Sequence, residues 1–293
     1  MLAGEVRYLT GKSPEVEAGI AAEAEAAVPL EADAAIDVAK PSVRQKKPKY
    51  FHFAPIDRLE RERVLHDEKY TDGSRDELTF VHIGKCGGYS VADALAISPA
   101  IQSRFTRISR VHLRPPYYQS NASYLFVLRN PIDRLISAFA WRYQKVVQER
   151  KQEFQYPGEF EALVKYERLN DLAEALVKDG HLSNEAMRSM LSITHFRHDI
   201  AYYLEGLLTN ISPEQVYCVF TQDQLAEDME RVLGVDGISR QNKSDDTLFE
   251  KNMALSTVAR ENLKLVFSRD YDCIRSLNAI YPLGAKKLEA LLQ

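Results

Sequence analysis

Long apolar runs are missing from this chain of 293 residues. Nowhere do about 20 apolar residues follow one another, so no segment reads as a membrane-crossing helix. The N-terminus lacks a basic flank followed by an apolar stretch, so no secretory leader is expected and the chain is read as soluble and cytoplasmic. Cysteine is scarce. Cys86, Cys218 and Cys273 are the three present, too few and too scattered for a disulfide framework or a zinc site, and no metal is expected. Without a secretory route the sequons at Asn121, Asn210 and Asn242 carry little weight. Basic charge is not in excess either: the formal net charge is −4, which argues against nonspecific nucleic-acid binding. No internal repeat is present. No Gly-x-x-x-x-Gly-Lys-Ser/Thr loop occurs, and the apolar runs end in Gly84, His112, Arg129 and Thr221 rather than in an aspartate that could hold Mg²⁺. Both absences weigh against an ordinary nucleotide-dependent kinase or NTPase.

What is present concentrates in two places. In Phe80-Val-His-Ile-Gly-Lys-Cys-Gly-Gly-Tyr-Ser90 an apolar, β-leaning run stops at Gly84 and Lys85, and the amphipathic segment Val91–Ile97 follows. This is the layout of strand, anion-cradling loop and helix start. Gly87 and Gly88 allow a tight turn and a close approach of backbone N–H groups to an anion, and Lys85 adds a positive charge at the lip. In Tyr124-Leu-Phe-Val-Leu-Arg-Asn-Pro-Ile-Asp-Arg-Leu-Ile-Ser-Ala-Phe139 a continuously apolar strand is followed by Asn130 as N-cap and Pro131 at the first helical position. Arg129 then stands at the C-terminal end of that strand, where open α/β sheets bind ligands, and Ser137 lies two turns into the helix. A guanidinium beside a helix start forms a second anion site, separate from the first. Arg134 reads as a solvated helix residue or an ion-pair partner and is left outside the site.

These residues resemble the PAPS-dependent sulfotransferases, and among them the carbohydrate sulfotransferases. His82–Ser90 is similar to that family's 5′-phosphosulfate loop, often Pro-Lys-Thr-Gly-Gly-Thr-Ser, and Arg129–Phe139 to its 3′-phosphate motif, Arg-Asp-Pro, two residues, Arg, two residues, Ser. Val216–Leu225, a helix ending near Gly234, the run Arg240-Gln-Asn-Lys-Ser244 and the closing helix around Asp270 resemble its later elements. The resemblance covers roughly residues 78–282. It departs at Gly84 (usually Pro), Cys86 (usually Thr), Tyr89 (usually small) and Asn130 (usually Asp). It implies PAPS as co-substrate, held by Lys85, Cys86, Gly87, Gly88, Tyr89 and Ser90 at one end and by Arg129 and Ser137 at the other, with Asn242, Lys243 and Ser244 over the nucleotide. It implies transfer of a sulfuryl group to a hydroxyl, most simply of a glycan. Lys85 would stabilise the leaving oxygen. His112, in Arg110-Val-His-Leu-Arg114, would be the base, since several family members place a catalytic histidine or carboxylate in that interval. A non-catalytic PAP- or phosphate-binding protein is the alternative.

The coarse organisation follows. Residues 1–49 read as a mobile Ala/Glu-rich tail and 50–76 as a charged helical lead-in. Residues 77–293 read as one α/β domain with a P-loop-like parallel sheet and helices on both faces. Strands are expected near Arg107–His112 and Val216–Thr221. Helices are expected from Pro131 to about Arg150, over Glu159–Lys178 and over Ser183–Leu208. The stretch 141–205, with Arg142, Lys145, Arg150, Lys151, Arg188, Arg197 and His198, supplies candidate cations for an acceptor cleft. His195 and His198 share a helix face, read as cleft or surface rather than metal site.

Overall fold

Five runs, rich in apolar and β-branched residues, assemble as parallel strands. The computed structural model describes residues 51–52, 77–112, 114–237, 250–252 and 254–293. The tail over 1–49, nearly all of the lead-in and the Asn242–Ser244 loop lie outside the described residues. The strands are β1 (Phe51–His52), β2 (Glu77–Val81), β3 (Arg107–Val111) and β4 (Ala122–Leu128). β5 (Val177–Lys178) and β6 (His181–Leu182) pair with each other, and β7 (Val216–Thr221) rejoins the main sheet. The order across that sheet is β1-β3-β2-β4-β7, every pairing parallel. All residues of β2 and β4 are buried, as parallel strands covered on both faces require.

The order carries a functional consequence. From β2 the chain passes to β3 on one side, through α1 (Gly88–Ile97) and α2 (Pro99–Arg104). From β4, on the other side of β2, it departs through α3 (Pro131–Arg142) towards β7. The loops leaving β2 and β4 therefore part in opposite directions and open a crevice at the carboxyl ends of neighbouring strands, where such sheets bind ligands.

α3 runs into a π-helical turn over Tyr143–Gln148, so the helix expected to reach Arg150 ends in a widened turn. The stretch expected to be one helix over Glu159–Lys178 is instead α4 (Glu159–Lys165), α5 (Leu169–Glu174) and strand β5. The reason is legible in Asp179-Gly180, whose φ values of 52° and 77° build the two-residue turn of the β5–β6 hairpin. Ser183–Leu208 likewise breaks into α6 (Asn184–Ser192), α7 (Thr194–Arg197) and α8 (Ile200–Leu208). Ile193 is extended, and Asp199 restarts the chain as N-cap by accepting from the Tyr202 N–H at 2.6 Å. α9 (Leu225–Leu233), α10 (Thr257–Val266), α11 (Ser268–Ile280) and α12 (Ala285–Leu292) follow.

Two apolar clusters result. One joins the sheet to α1, α8, α9, α11 and α12; the other joins α3 to α4 through α7 and α10. Within the second, Arg142 is buried and grips Glu159 with both arms, Nε–Oε1 at 2.8 Å and Nη2–Oε2 at 2.7 Å, while Glu159 Oε1 also accepts from the Thr194 N–H at 3.1 Å. Arg142 is thus a structural cation, not one offered to a cleft. Glu159→Gln strands a buried guanidinium and is expected to lower stability by about 3–5 kcal/mol. A urea midpoint unchanged from the parent chain would contradict this.

Candidate active site

The loop after β2 is held by its carbonyls. His82 O accepts from His112 Nδ1 at 2.9 Å, Gly84 O from Arg134 Nε at 2.9 Å, and Lys85 O from Arg129 Nη1 at 3.4 Å. The three donors come from the end of β3, from α3 and from the end of β4. Three elements thus fix one loop at the N-terminus of α1. Lys85 has φ 71°, a left-handed backbone unusual for a side-chain-bearing residue. Gly87 follows with φ 90° as N-cap of α1.

Both loop glycines are needed on steric grounds. A Cβ on Gly88 would lie 1.9 Å from His82 Cδ2, and one on Gly87 would lie 2.6 Å from Leu225 Cδ2. The His82 ring cannot step aside, being stacked on Phe80 at 5.6 Å and on His112 at 4.1 Å between centroids. The neighbouring Tyr89 is 45% exposed, its ring edge-on to His82 at 5.2 Å, with the Arg110 guanidinium 5.5 Å from its centre. It therefore borders the His112 side of the crevice. Cys86 turns inward: its side chain is buried and its thiol is pushed up to about 11 by burial, so only its backbone faces the loop. Ser90 is buried in the first turn of α1.

On α3, Asn130 explains one departure from the resembled motif. Its Oδ1 caps the helix, accepting from the N–H groups of Ile132 (2.9 Å) and Asp133 (3.2 Å). Its Nδ2 donates to the carbonyls of Leu291 (3.3 Å) and Ala290 (3.5 Å) at the end of α12. An aspartate could cap but could not donate, and would face the negative end of a helix. Ser137 is buried one turn before Trp141 on the same helix face, and Trp141 carries the Lys85 Nζ 4.4 Å from its ring centre. Lys145 lies over the same ring at 4.8 Å. Phe139 and Tyr143 stack on each other instead.

Arg134 was the residue missed. It has no exposed surface, and beyond Gly84 O its Nη2 donates to His195 O at 2.9 Å and to His198 O. The breaks at residues 193 and 198 that end α7 aim these two carbonyls at α3. The position of Arg134 in the Arg-Asp-Pro-like motif was the available signal. His195, read as cleft or surface, stands against Gly84: a Cβ there would be 3.0 Å from its Cδ2. The other cation candidates are elsewhere engaged or open. Lys145 and Lys151 pair with Glu149 and Arg150 with Glu153, while Arg188 and Arg197 are exposed.

The crevice is rich in cations and poor in carboxylates, and its ionisations follow from that. Burial, then the guanidinium groups of Arg129, Arg134 and Arg142, bring Lys85 down to about 7. Burial holds His112 below the usual imidazole range, and His82 and His195 well below it. Because His112 Nδ1 faces a carbonyl, its proton resides there and Nε2 keeps a free lone pair. Asp270, in the first turn of α11, is raised by burial to about 7 although Arg134 opposes this. Such a site lacks an anion. Among the described residues no three His, Cys, Asp or Glu side chains converge to hold a metal ion, and no helix is long and apolar enough to cross a membrane.

Comparison with known families adds one finding. The model of the sulfotransferase family matches residues 71–283, a span that contains β2, β3, β4, β7 and both halves of the crevice. No curated protein and no solved structure matches the chain. Gly88→Ala should cost about 1–3 kcal/mol through overpacking against His82; an unshifted thermal midpoint would show that the loop is looser than its contacts imply.

Proposed function

Since the chain belongs to the sulfotransferase family and so to the sulfuryl-transferring enzymes, we propose that it moves the sulfuryl group of PAPS to a hydroxyl of a carbohydrate. The observation that carries this reading is the placement of Lys85. It stands at the switch point of the sheet, between His112 on β3's side and Arg129 on β4's side, on a loop held at three carbonyls. The residues fit such a ligand: a glycine loop pinned at three carbonyls at a helix N-terminus, and a cluster of cations with few carboxylates to balance it. Lys85 and the N–H groups from Cys86 to Ser90 would hold the phosphosulfate. Arg129 and Ser137 would hold the 3′-phosphate, and Asn242, Lys243 and Ser244 would lie over the nucleotide. When bound, PAPS supplies a sulfuryl group activated by its bond to a phosphate.

His112 Nε2 takes the proton of the attacking hydroxyl while the new S–O bond forms. Lys85, as ammonium, meets the charge that develops on the phosphate oxygen as the old S–O bond breaks. The exposed Tyr89 ring beside Arg110 offers an apolar face with a cation at its edge, which suits a sugar ring. The carbohydrate acceptor rests on that surface together with the family resemblance.

Two sets of outcomes are expected. Lys85→Ala should lower transfer about 10²–10³-fold while PAP still binds, and Arg129→Ala should weaken PAP binding itself. His112→Ala should lower turnover about 10²–10⁴-fold with PAP affinity kept. Steady-state rates with labelled PAPS and calorimetric PAP titrations read these, and normal turnover in the Lys85 variant would remove it from the mechanism. Affinity should also depend on pH. An anion favours the ammonium form of Lys85, and the free site holds that group at about 7. Binding above pH 7 therefore takes up a proton, and affinity falls as pH rises from 7 towards 9. Proton uptake of zero, measured by titration in buffers of different ionisation heat, would exclude this coupling.

A further inference from the structure

His195 lies outside every motif so far invoked, yet its ring stands at the reaction centre. A Cβ built on Gly84 would be 3.0 Å from His195 Cδ2, 3.5 Å from its Nε2 and 3.7 Å from His112 Cε1. The two imidazoles thus converge over the last residue before Lys85. The placement is not that of a loose surface side chain. Arg134, fully buried, donates Nε to Gly84 O and Nη2 to His195 O, both at 2.9 Å, so one guanidinium sets the spacing of the loop and the histidine. A proline at 84, usual in the resembled motif, would bring its Cβ to 3.0 Å from the imidazole, tighter than side chains ordinarily pack. Gly84 and His195 therefore belong together.

The two ring nitrogens of His195 differ. Nδ1 is buried without a hydrogen-bond partner, whereas Nε2 turns to the Gly84 edge. A buried orphan N–H is rarer than an orphan acceptor, which places the single proton of the neutral ring on Nε2. Neutrality itself follows from desolvation and from the cations Lys85, Arg134 and Arg142 around it. His112 has the opposite arrangement, with its proton on Nδ1 against His82 O and Nε2 bare.

We propose that His195 is a second catalytic imidazole, presenting Nε2–H as a neutral hydrogen-bond donor to an oxygen of the sulfuryl-phosphate group, beside a His112 that presents a bare Nε2 as proton acceptor. This rests on the sulfuryl-transfer reading of the same crevice. Opposite tautomers give two identical residue types separate tasks: one removes a proton, and the other steadies oxygen charge without adding another cation to the cluster.

The first test needs neither ligand nor variant. ¹⁵N spectra of the histidine-labelled protein at pH 7.5 should show His195 protonated at Nε2 and His112 at Nδ1. A His195 protonated at Nδ1, or at both nitrogens, overturns the proposal. In the second test His195→Ala should reduce transfer from labelled PAPS about 100-fold with PAP affinity changed less than twofold. His195→Gln, which can donate from a similar place, should recover about tenfold of that loss. Parental turnover in the alanine variant, or a collapse of PAP affinity that marks a merely structural role, overturns it while the donor reading stands. Failure of the unaltered chain to bind PAP or turn over PAPS brings down that reading and this role with it.

Discussion

Arg134 has no exposed surface and donates three hydrogen bonds to backbone carbonyls through Nε and Nη2, while its Nη1 is buried without a partner. Gly84 O belongs to the anion loop; His195 O and His198 O belong to the broken helical stretch that crosses the crevice. The arrangement uses carbonyls that helix ends and tight loops leave unpaired. It also leaves a positive charge behind the loop that no ion pair among the described residues cancels directly. The sheet delivers β2 and β4 to the crevice, but Arg134 sets where the loop and the histidine-bearing turn stand relative to each other.

That buried charge propagates. Burial makes Lys85, His82, His112 and His195 give up protons more readily than in water. Neighbouring cations add to it: Arg129, Arg134 and Arg142 at Lys85, Arg110 at His82, Arg110 and Arg134 at His112, and Lys85, Arg134 and Arg142 at His195. The same electrostatics that make imidazoles neutral and a lysine labile make the crevice attractive to a polyanion. On the proposed reading, an arriving phosphate or sulfuryl group would restore the balance that Asp270, itself raised to about 7, does not provide. Ligand affinity and the ionisation of the reacting groups are thus one property of the cluster. Trp141 adds a resting place for the Lys85 ammonium, with its π-face 4.4 Å away.

Much of the site was legible in the chain. Gly87-Gly88 announced a tight turn and Asn130-Pro131 a helix start after a buried strand, and both are found at the N-termini of α1 and α3. Errors fell where local pattern and tertiary demand diverge. Helical periodicity over 159–178 overrode the Asp179-Gly180 turn signal, and the run to Leu208 concealed two breaks. Arg142 looked like a cleft cation because its partner, Glu159, is 17 positions away and reached only through folding. Asn130 in place of aspartate read as a neutral exchange until its amide was found on the carbonyls of α12.

The sequence by itself determined the alternation of strands and helices, the two glycine- and arginine-centred strand–turn–helix motifs, and membership of a sulfotransferase type, because these depend on residues near one another along the chain. Only the tertiary structure decided which strands are neighbours, which arginines are buried, and which histidine stands against Gly84. Those outcomes depend on contacts between segments 50 and more residues apart, such as Gly84 with Arg134 and Arg134 with His195. No local periodicity encodes them, since a buried guanidinium and a solvated one look alike until the carbonyls around them are in place.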